Sequence, residues 1–324
     1  MTPITRRGAL ALGLALPALL AGPLRAQGFP SRPVRLIVPF PPGAGPDQAA
    51  RLLAPYLRDA LGQAVVVENR TGALGAIAAQ ETARSAPDGH TIIIGTNTTH
   101  AANVAMIRNL QYDPVADFAP ISRLITTAMI LVVRPDFPAT DLASFIAHAR
   151  SLPPGTLTAG FGSGAAQMSI AQLRARGGVE MVPVPYRGIP IAAGDVIGGS
   201  LNATFVDYAI GLPHIQANTL RGLGVTSAAR SELVPGMPPI SETLPGFDVT
   251  IWWGLFAPAR TPQPIVSRIA ELCEAWLRVP ETRERMATIG ISPAFMGPEE
   301  FAGFVRAEVV RWTQQAREAG IEPQ

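Results

Sequence analysis

Short β-branched runs alternate with longer helical patterns along most of this chain. That order restricts it to α/β architectures built from parallel sheets and crossover helices. Strands are predicted at 34–40, 65–67 and 91–94, with helices at 49–61, opened by Pro46, and at 76–86. The apolar run 121–133 is too long for one ordinary strand and reads as a strand that leaves one domain and enters another. A second set follows, with strands near 156–160, 181–185, 203–206 and 223–226, and helices near 141–150, 165–175 and 190–198. After a connection rich in proline (Pro235, Pro238, Pro239, Pro245), the run 252–257 reads as a strand returning to the first domain, and helices at 264–278 and 298–318 close the chain. A chain that leaves a domain and returns makes two lobes joined by two crossings, able to close by hinge motion. The expected division is an export signal over 1–26, one lobe over 27–124 plus 247–324, and the other over 125–246.

The export signal rests on Arg6-Arg7, an uncharged run over 8–24, and the small Ala26 where a peptidase would cut. Pro17, Gly22 and Pro23 break the run, which is short for a span that needs about 20 helical residues. Thr5-Arg6-Arg7 also fits a twin-arginine signal, so the Sec and twin-arginine routes both stay open. Either places the mature protein, from about Gln27, outside the cytoplasm.

Composition excludes several functions. All 26 basic residues are Arg, and three of them lie in the signal; the mature chain then holds 23 Arg against 24 acids, a formal charge of −1. No basic excess remains to neutralise phosphates, so nucleic acid is not an expected partner. The absence of lysine excludes a Walker-type lysine, a pyridoxal Schiff base and any lysine amine nucleophile. The single Cys273 sits in an amphipathic helical pattern and is expected to be buried, not catalytic. His90, His148 and His214 are scattered, and no metal-ligand spacing occurs. Ser163 lacks the glycine two positions earlier that a nucleophile elbow needs, since Phe161 stands there, and reads as a helix cap or ligand contact. Trp252-Trp253 is expected to pack at the hinge or core.

In parallel α/β sheets, ligands sit beyond the carboxyl ends of the strands. The loops in question are 41–47, 69–75, 96–100, 161–165 and the step Asp207-Tyr208; His100 lies on one of them as a possible contact. Gly-rich turns entering helices bare backbone N–H groups and a positive dipole end, which suits a carboxylate without any charged side chain. Gly43-Ala44-Gly45 also imitates a dinucleotide fingerprint, but its third glycine falls at Gln48. An exported dinucleotide-dependent oxidoreductase using that turn is the alternative reading.

Several segments resemble the Bug family of solute receptors, the extracytoplasmic binding components of tripartite tricarboxylate transporters. They include Pro39-Phe40-Pro41-Pro42-Gly43, Val66-Val67-Glu68-Asn69-Arg70, Ala86-Pro87-Asp88-Gly89, Val184-Pro185-Tyr186-Arg187-Gly188 and Trp253-Gly254-Leu255-Phe256-Ala257-Pro258. The resemblance runs from about Pro30 to Ile321. It implies a type II periplasmic binding protein fold, two α/β lobes with a ligand cleft between them, and a ligand carboxylate held largely by backbone N–H groups of the first Gly-rich loop. It also implies membrane permease subunits as partners, a periplasmic monomer, and no catalytic residue, metal or cofactor; the residues do not separate a transporter from a signalling partner. The candidate ligand-binding residues are Phe40, Gly43, Ala44, Gly45, Asp47, Leu74, Thr96, Thr98, Phe161, Ser163, Gly164, Ala165, Gln167 and Asp207. The chain departs from the family pattern at Ala44, Pro46, Leu74, Ala76 and 165–167, together towards a more apolar cleft with fewer hydrogen-bond donors. Those departures weigh against a tricarboxylate such as citrate and leave an aromatic or hydrophobic monocarboxylate, or an amino acid facing Asp207, open.

Overall fold

A computed structural model of the chain describes residues 28–323; the expected export signal lies outside the described residues. In chain order the elements are β1 (Val34–Val38), α1 (Gly45–Leu61), β2 (Val65–Asn69), α2 (Ala76–Ala83), β3 (Thr91–Thr96), α3 (Asn103–Met106), β4 (Phe118–Thr127) and β5 (Met129–Val133). There follow α4 (Leu142–Ser151), β6 (Thr158–Phe161), α5 (Gly164–Gly177), β7 (Val182–Pro185), α6 (Ile189–Gly198), β8 (Ala203–Asp207), α7 (Tyr208–Gln216) and β9 (Arg221–Val225). Then come β10 (Ile251–Pro258), α8 (Gln263–Arg278), α9 (Pro280–Thr288), β11 (Ser292–Met296) and α10 (Pro298–Glu318).

The strands form two sheets, ordered β11-β4-β10-β3-β1-β2 and β7-β6-β8-β5-β9. The long apolar run is two strands, not one: β4 and β5 belong to different sheets, with only Ala128 between them. The return crossing lies between β9 and β10. The sheets are mixed where the alternation predicted parallel ones. β1 pairs in parallel with β2 and β3, and β6 with β7 and β8, but β10 is antiparallel to β3 and β4, and β5 to β8 and β9. The reason is topological: β4 carries the chain out of the first sheet and β10 brings it back, so side by side they run in opposite directions.

Helix α1 shows how the sequence aims an element at the space between the sheets. Pro46, fixed near helical φ, opens it, and Gly62 in the left-handed region closes it. Ala49, Ala50, Leu53, Leu57 and Leu61 recur at helical spacing and are buried. Helix α8 buries Val266, Ile269, Ala270, Cys273, Trp276 and Leu277 by the same rule. Cys273 is fully buried, and burial pushes its thiol up to about 12, so it is inert as expected. Trp252 is a core residue whose indole donates to Glu308 at 2.7 Å, and Glu308 also accepts from Trp312 and Arg311. No helix among the described residues is long and apolar enough to cross a membrane.

Candidate functional site

Four helices begin at one small cavity between the two sheets. Its lining includes Pro46 in the first turn of α1, Ser163 and Ala165 at the start of α5, Ile189 opening α6, and Asp207 capping α7. Phe40, Ala44, Thr96, Asn97, Thr98, Met129, Ile251 and Trp253 complete it. Each helix N-terminus presents partial positive charge and unpaired N–H groups. Asp207 is the only ionisable residue in the lining.

The loop after β1 is held by its own side chains. Gly43 N–H donates to Asp47 Oδ2 at 2.9 Å, and Ala44 N–H donates to the Pro41 carbonyl at 3.2 Å. Pro46 has no N–H to offer. The cradle of three N–H groups expected at 43–45 therefore reduces to one, because the loop satisfies two of its donors internally. The remaining group, Gly45 N–H, has no partner within the loop and lies close to the Asp207 carboxylate on the other side of the cavity, where it favours the ionised form. Asp47 is the organiser of this loop: its carboxylate also accepts from Arg51 and Asn69, and it is 2 % exposed. Burial pushes the Asp47 carboxyl up, but these donors more than offset it and hold it below the usual range. Gly45 has to be glycine for a steric reason, since a Cβ there would lie 2.4 Å from the Trp253 ring and 3.1 Å from Asp207 Cγ.

The second face comes from the loop after β6 and the end of β8. Gly164 N–H donates across the cavity to Thr98 Oγ1 at 3.1 Å. Ser163 caps α5 by accepting from Ala166 N–H at 3.2 Å. Ser163→Ala should lower stability by about 1 kcal/mol, the ordinary worth of such a cap, read as a shifted urea midpoint at unchanged slope. The Asp207 carboxylate accepts from Ile210 N–H at 3.2 Å. Burial raises its pKa to about 6 despite the backbone N–H groups around it. Asn97 is 2 % exposed and its amide Nδ2 has no hydrogen-bond partner. A buried donor facing a cavity without a partner is costly, and a ligand acceptor would satisfy it.

Of the fourteen residues expected from sequence, Phe40, Ala44, Thr96, Thr98, Ser163, Ala165 and Asp207 line this cavity. Gly164 borders it through its bond to Thr98, and Gly45 through its close approach to Trp253 and Asp207, whereas Gly43 and Asp47 stand behind it as loop supports. Leu74 is outside the lining, held in the left-handed region with its carbonyl accepting from Asn103. Phe161 and Gln167 line a different cavity. His100 is not a contact: it is fully buried, stacked on Phe256 at 3.7 Å between centroids, and burial lowers its pKa to about 3. Pro46, Asn97, Met129, Ile189, Ile251 and Trp253 were not among the expected residues; Pro46 and Asn97 lay on loops already singled out, and Met129 and Ile251 open the two crossing strands.

The cavity volume is about 30 Å³, enough for one water. The dinucleotide alternative fails at its turn. The position where the fingerprint needs a glycine carries Gln48, whose amide donates to the Gly43 carbonyl at 3.0 Å and closes the turn. No group of His, Cys, Asp or Glu that would hold a metal occurs among the described residues.

Comparison with known proteins agrees with this architecture. Residues 49–321 match the model of the tripartite tricarboxylate transporter family receptor. Protein BugT of Bordetella pertussis is 33% identical over 308 residues, covering 94% of this chain and 94% of its own length. Among solved structures, R. palustris Rpa4515 with adipate has a TM-score of 0.88 at 34% identity, covering 91% of this chain and 100% of that one. MatC from Rhodopseudomonas palustris with bound malate has a TM-score of 0.83 at 32% identity, covering 89% and 99%. The chain belongs to the tripartite tricarboxylate transporter receptors, periplasmic solute-binding proteins of the Bug type for carboxylates rather than enzymes, with a two-lobe binding-protein fold.

Proposed function

We propose that the ligand's carboxylate takes the place that Asp207 fills at the N-terminus of α1. The observation that carries this reading is that four helix N-termini converge on a cavity where the Asp207 carboxylate already stands beside Gly45. The turn thus accepts the group that a ligand would bring. A cavity of about 30 Å³ is far below the several hundred Å³ of a usual ligand site, so the lobes part to admit the molecule. The lobes are residues 27–124 with 247–324, and 125–246. The bond from Gly164 to Thr98 and the close approach of Gly45 to Asp207 belong to the closed form.

On this reading Phe40, Met129, Ile189, Ile251 and Trp253 receive the apolar body of the ligand, and the Asn97 amide a second acceptor. Once displaced, Asp207 faces the far end and disfavours another carboxylate there, favouring a hydroxyl, an ammonium or plain hydrocarbon. The ligand is therefore an apolar monocarboxylate or an amino acid, although related structures hold adipate and malate. The mature monomer, exported through its signal, hands this acid to the membrane permease subunits of the transporter.

A thermal-shift panel of benzoate, hexanoate, leucine, adipate, malate and citrate tests the reading. A ligand that binds only the folded state raises its melting temperature. Benzoate, hexanoate or leucine should give the largest shift. A largest shift with citrate would contradict the apolar cleft, and no shift with any acid in the panel would count against the proposed ligand class.

A further inference from the structure

A second cavity, of about 490 Å³, lies where the outer side of α5 meets the chain that follows α10. It is the size of a small-molecule site, and the cleft cavity in the same structure is not. Its apolar lining comes from Phe161, Ile170, Ala171, Pro183, Pro185 and Ile321. Two guanidinium groups also line it, one from each lobe: Arg108, just after α3, and Arg174, on α5. Neither is firmly paired among the described residues: Arg108 reaches only the Pro323 carbonyl at 3.5 Å, and Arg174 stands 4.0 Å from the exposed Glu180. Glu322 is the one acid among the described residues of the lining, so their ionisable side chains sum to a single positive charge. The buried Oε1 of Gln167, also in the lining, has no hydrogen-bond partner.

We propose that this cavity is a second, peripheral site for a small organic anion with an apolar body. The hydrocarbon or ring would lie on Phe161, Ile170 and the two prolines, and its carboxylate would lie between Arg108 and Arg174. A hydroxyl on the acid would donate to Gln167. One cation comes from each lobe, so an occupant ties the lobes together and favours the closed form without touching the cleft. A guanidinium pair on a partly open surface gives an affinity that weakens with salt. The site stands on its own lining and does not depend on what the cleft binds.

The test is a benzoate titration of the uniformly ¹⁵N-labelled mature protein, followed at each backbone amide. Amides of Ala171, Arg174 and Ile321 should shift with a common midpoint, and benzamide, which lacks the charge, should need at least about tenfold more to do the same. The double variant Arg108→Gln, Arg174→Gln should weaken this response at least about tenfold, as loss of two charge-assisted bonds requires. Both residues are exposed, so the variant should keep its melting temperature. Absence of shifts at these three amides, or shifts that persist unchanged in the double variant or equally with benzamide, would overturn the proposal. Failure of the cleft reading shows separately, as unmoved amides at Gly45 and Ala165 with every acid of the thermal-shift panel.

Discussion

Gly45→Leu is expected to abolish carboxylate binding, and Gly45→Ala to weaken it at least about tenfold. The first added atom decides the outcome. A Cβ at this position would fall 2.4 Å and 2.9 Å from two carbons of the Trp253 ring. Trp253 is 3 % exposed on β10, paired opposite Thr96, and has little space into which to move. Overpacking of this kind costs about 1–3 kcal/mol in a rigid surrounding, which is one to two orders of magnitude in affinity if it falls on the closed form. The larger side chain also covers the Gly45 N–H, which has no partner within the loop. Calorimetric titration of both variants with the strongest acid of the panel gives the answer, and a melting temperature near that of the parent shows that the loss is local. Arg70→Ala is the control at the same end of the sheet. Arg70 pairs with Glu68 and Glu81 on the surface and takes no part in the cavity lining, so its removal should leave affinity within about twofold.

Asp207→Asn should make the ligand-free protein more stable at pH 7.5 and remove a pH dependence that the parent shows. Burial raises the Asp207 pKa to about 6 from an unfolded value of 3.8. Between those values the folded protein holds a proton that the unfolded chain has lost. The parent is therefore favoured at low pH and loses stability as pH rises from about 4 through about 6. The shift of roughly two units corresponds to about 3 kcal/mol at most. Opening the cleft rehydrates Asp207, so part of this dependence appears as closure: scattering should show a smaller radius at pH 5 than at pH 8 in the ligand-free parent. The Asn variant, with no charge to desolvate, should show one radius at both values. Urea unfolding of parent and variant from pH 4.5 to 8 measures the stability part. Parallel curves for the two proteins would show that Asp207 is not the titrating group.

The order of elements was legible because period and punctuation are local properties. Pro46 and Gly62 bound α1, and the β-branched runs mark β1, β2 and β3. Helix α7 was missed because Pro213 sits inside it, and α9 because its mean hydropathy is low and it buries only Met286. The break at Ala128 has no turn residue to announce it; the strand changes sheets without a change of pattern. In the cleft, the loops were readable from their glycines, but the fate of each N–H was not. Whether Gly43 donates to a ligand or to Asp47 depends on how the side chain four residues later folds back. Whether Gly45 is free depends on Asp207, 162 positions along the chain and on the other lobe. Met129, Ile251 and Trp253 carry no signal of their own, because any apolar residue at a crossing strand reads as core.

The central claim is that a ligand carboxylate replaces Asp207 at Gly45. A crystal structure of the mature protein with the strongest acid of the panel tests it most directly. The expected result is a ligand carboxylate oxygen about 2.7–3.2 Å from Gly45 N, the usual range for such a bond, with the Asp207 side chain turned away from that N–H. An acid bound elsewhere, with Asp207 still beside Gly45, would contradict it.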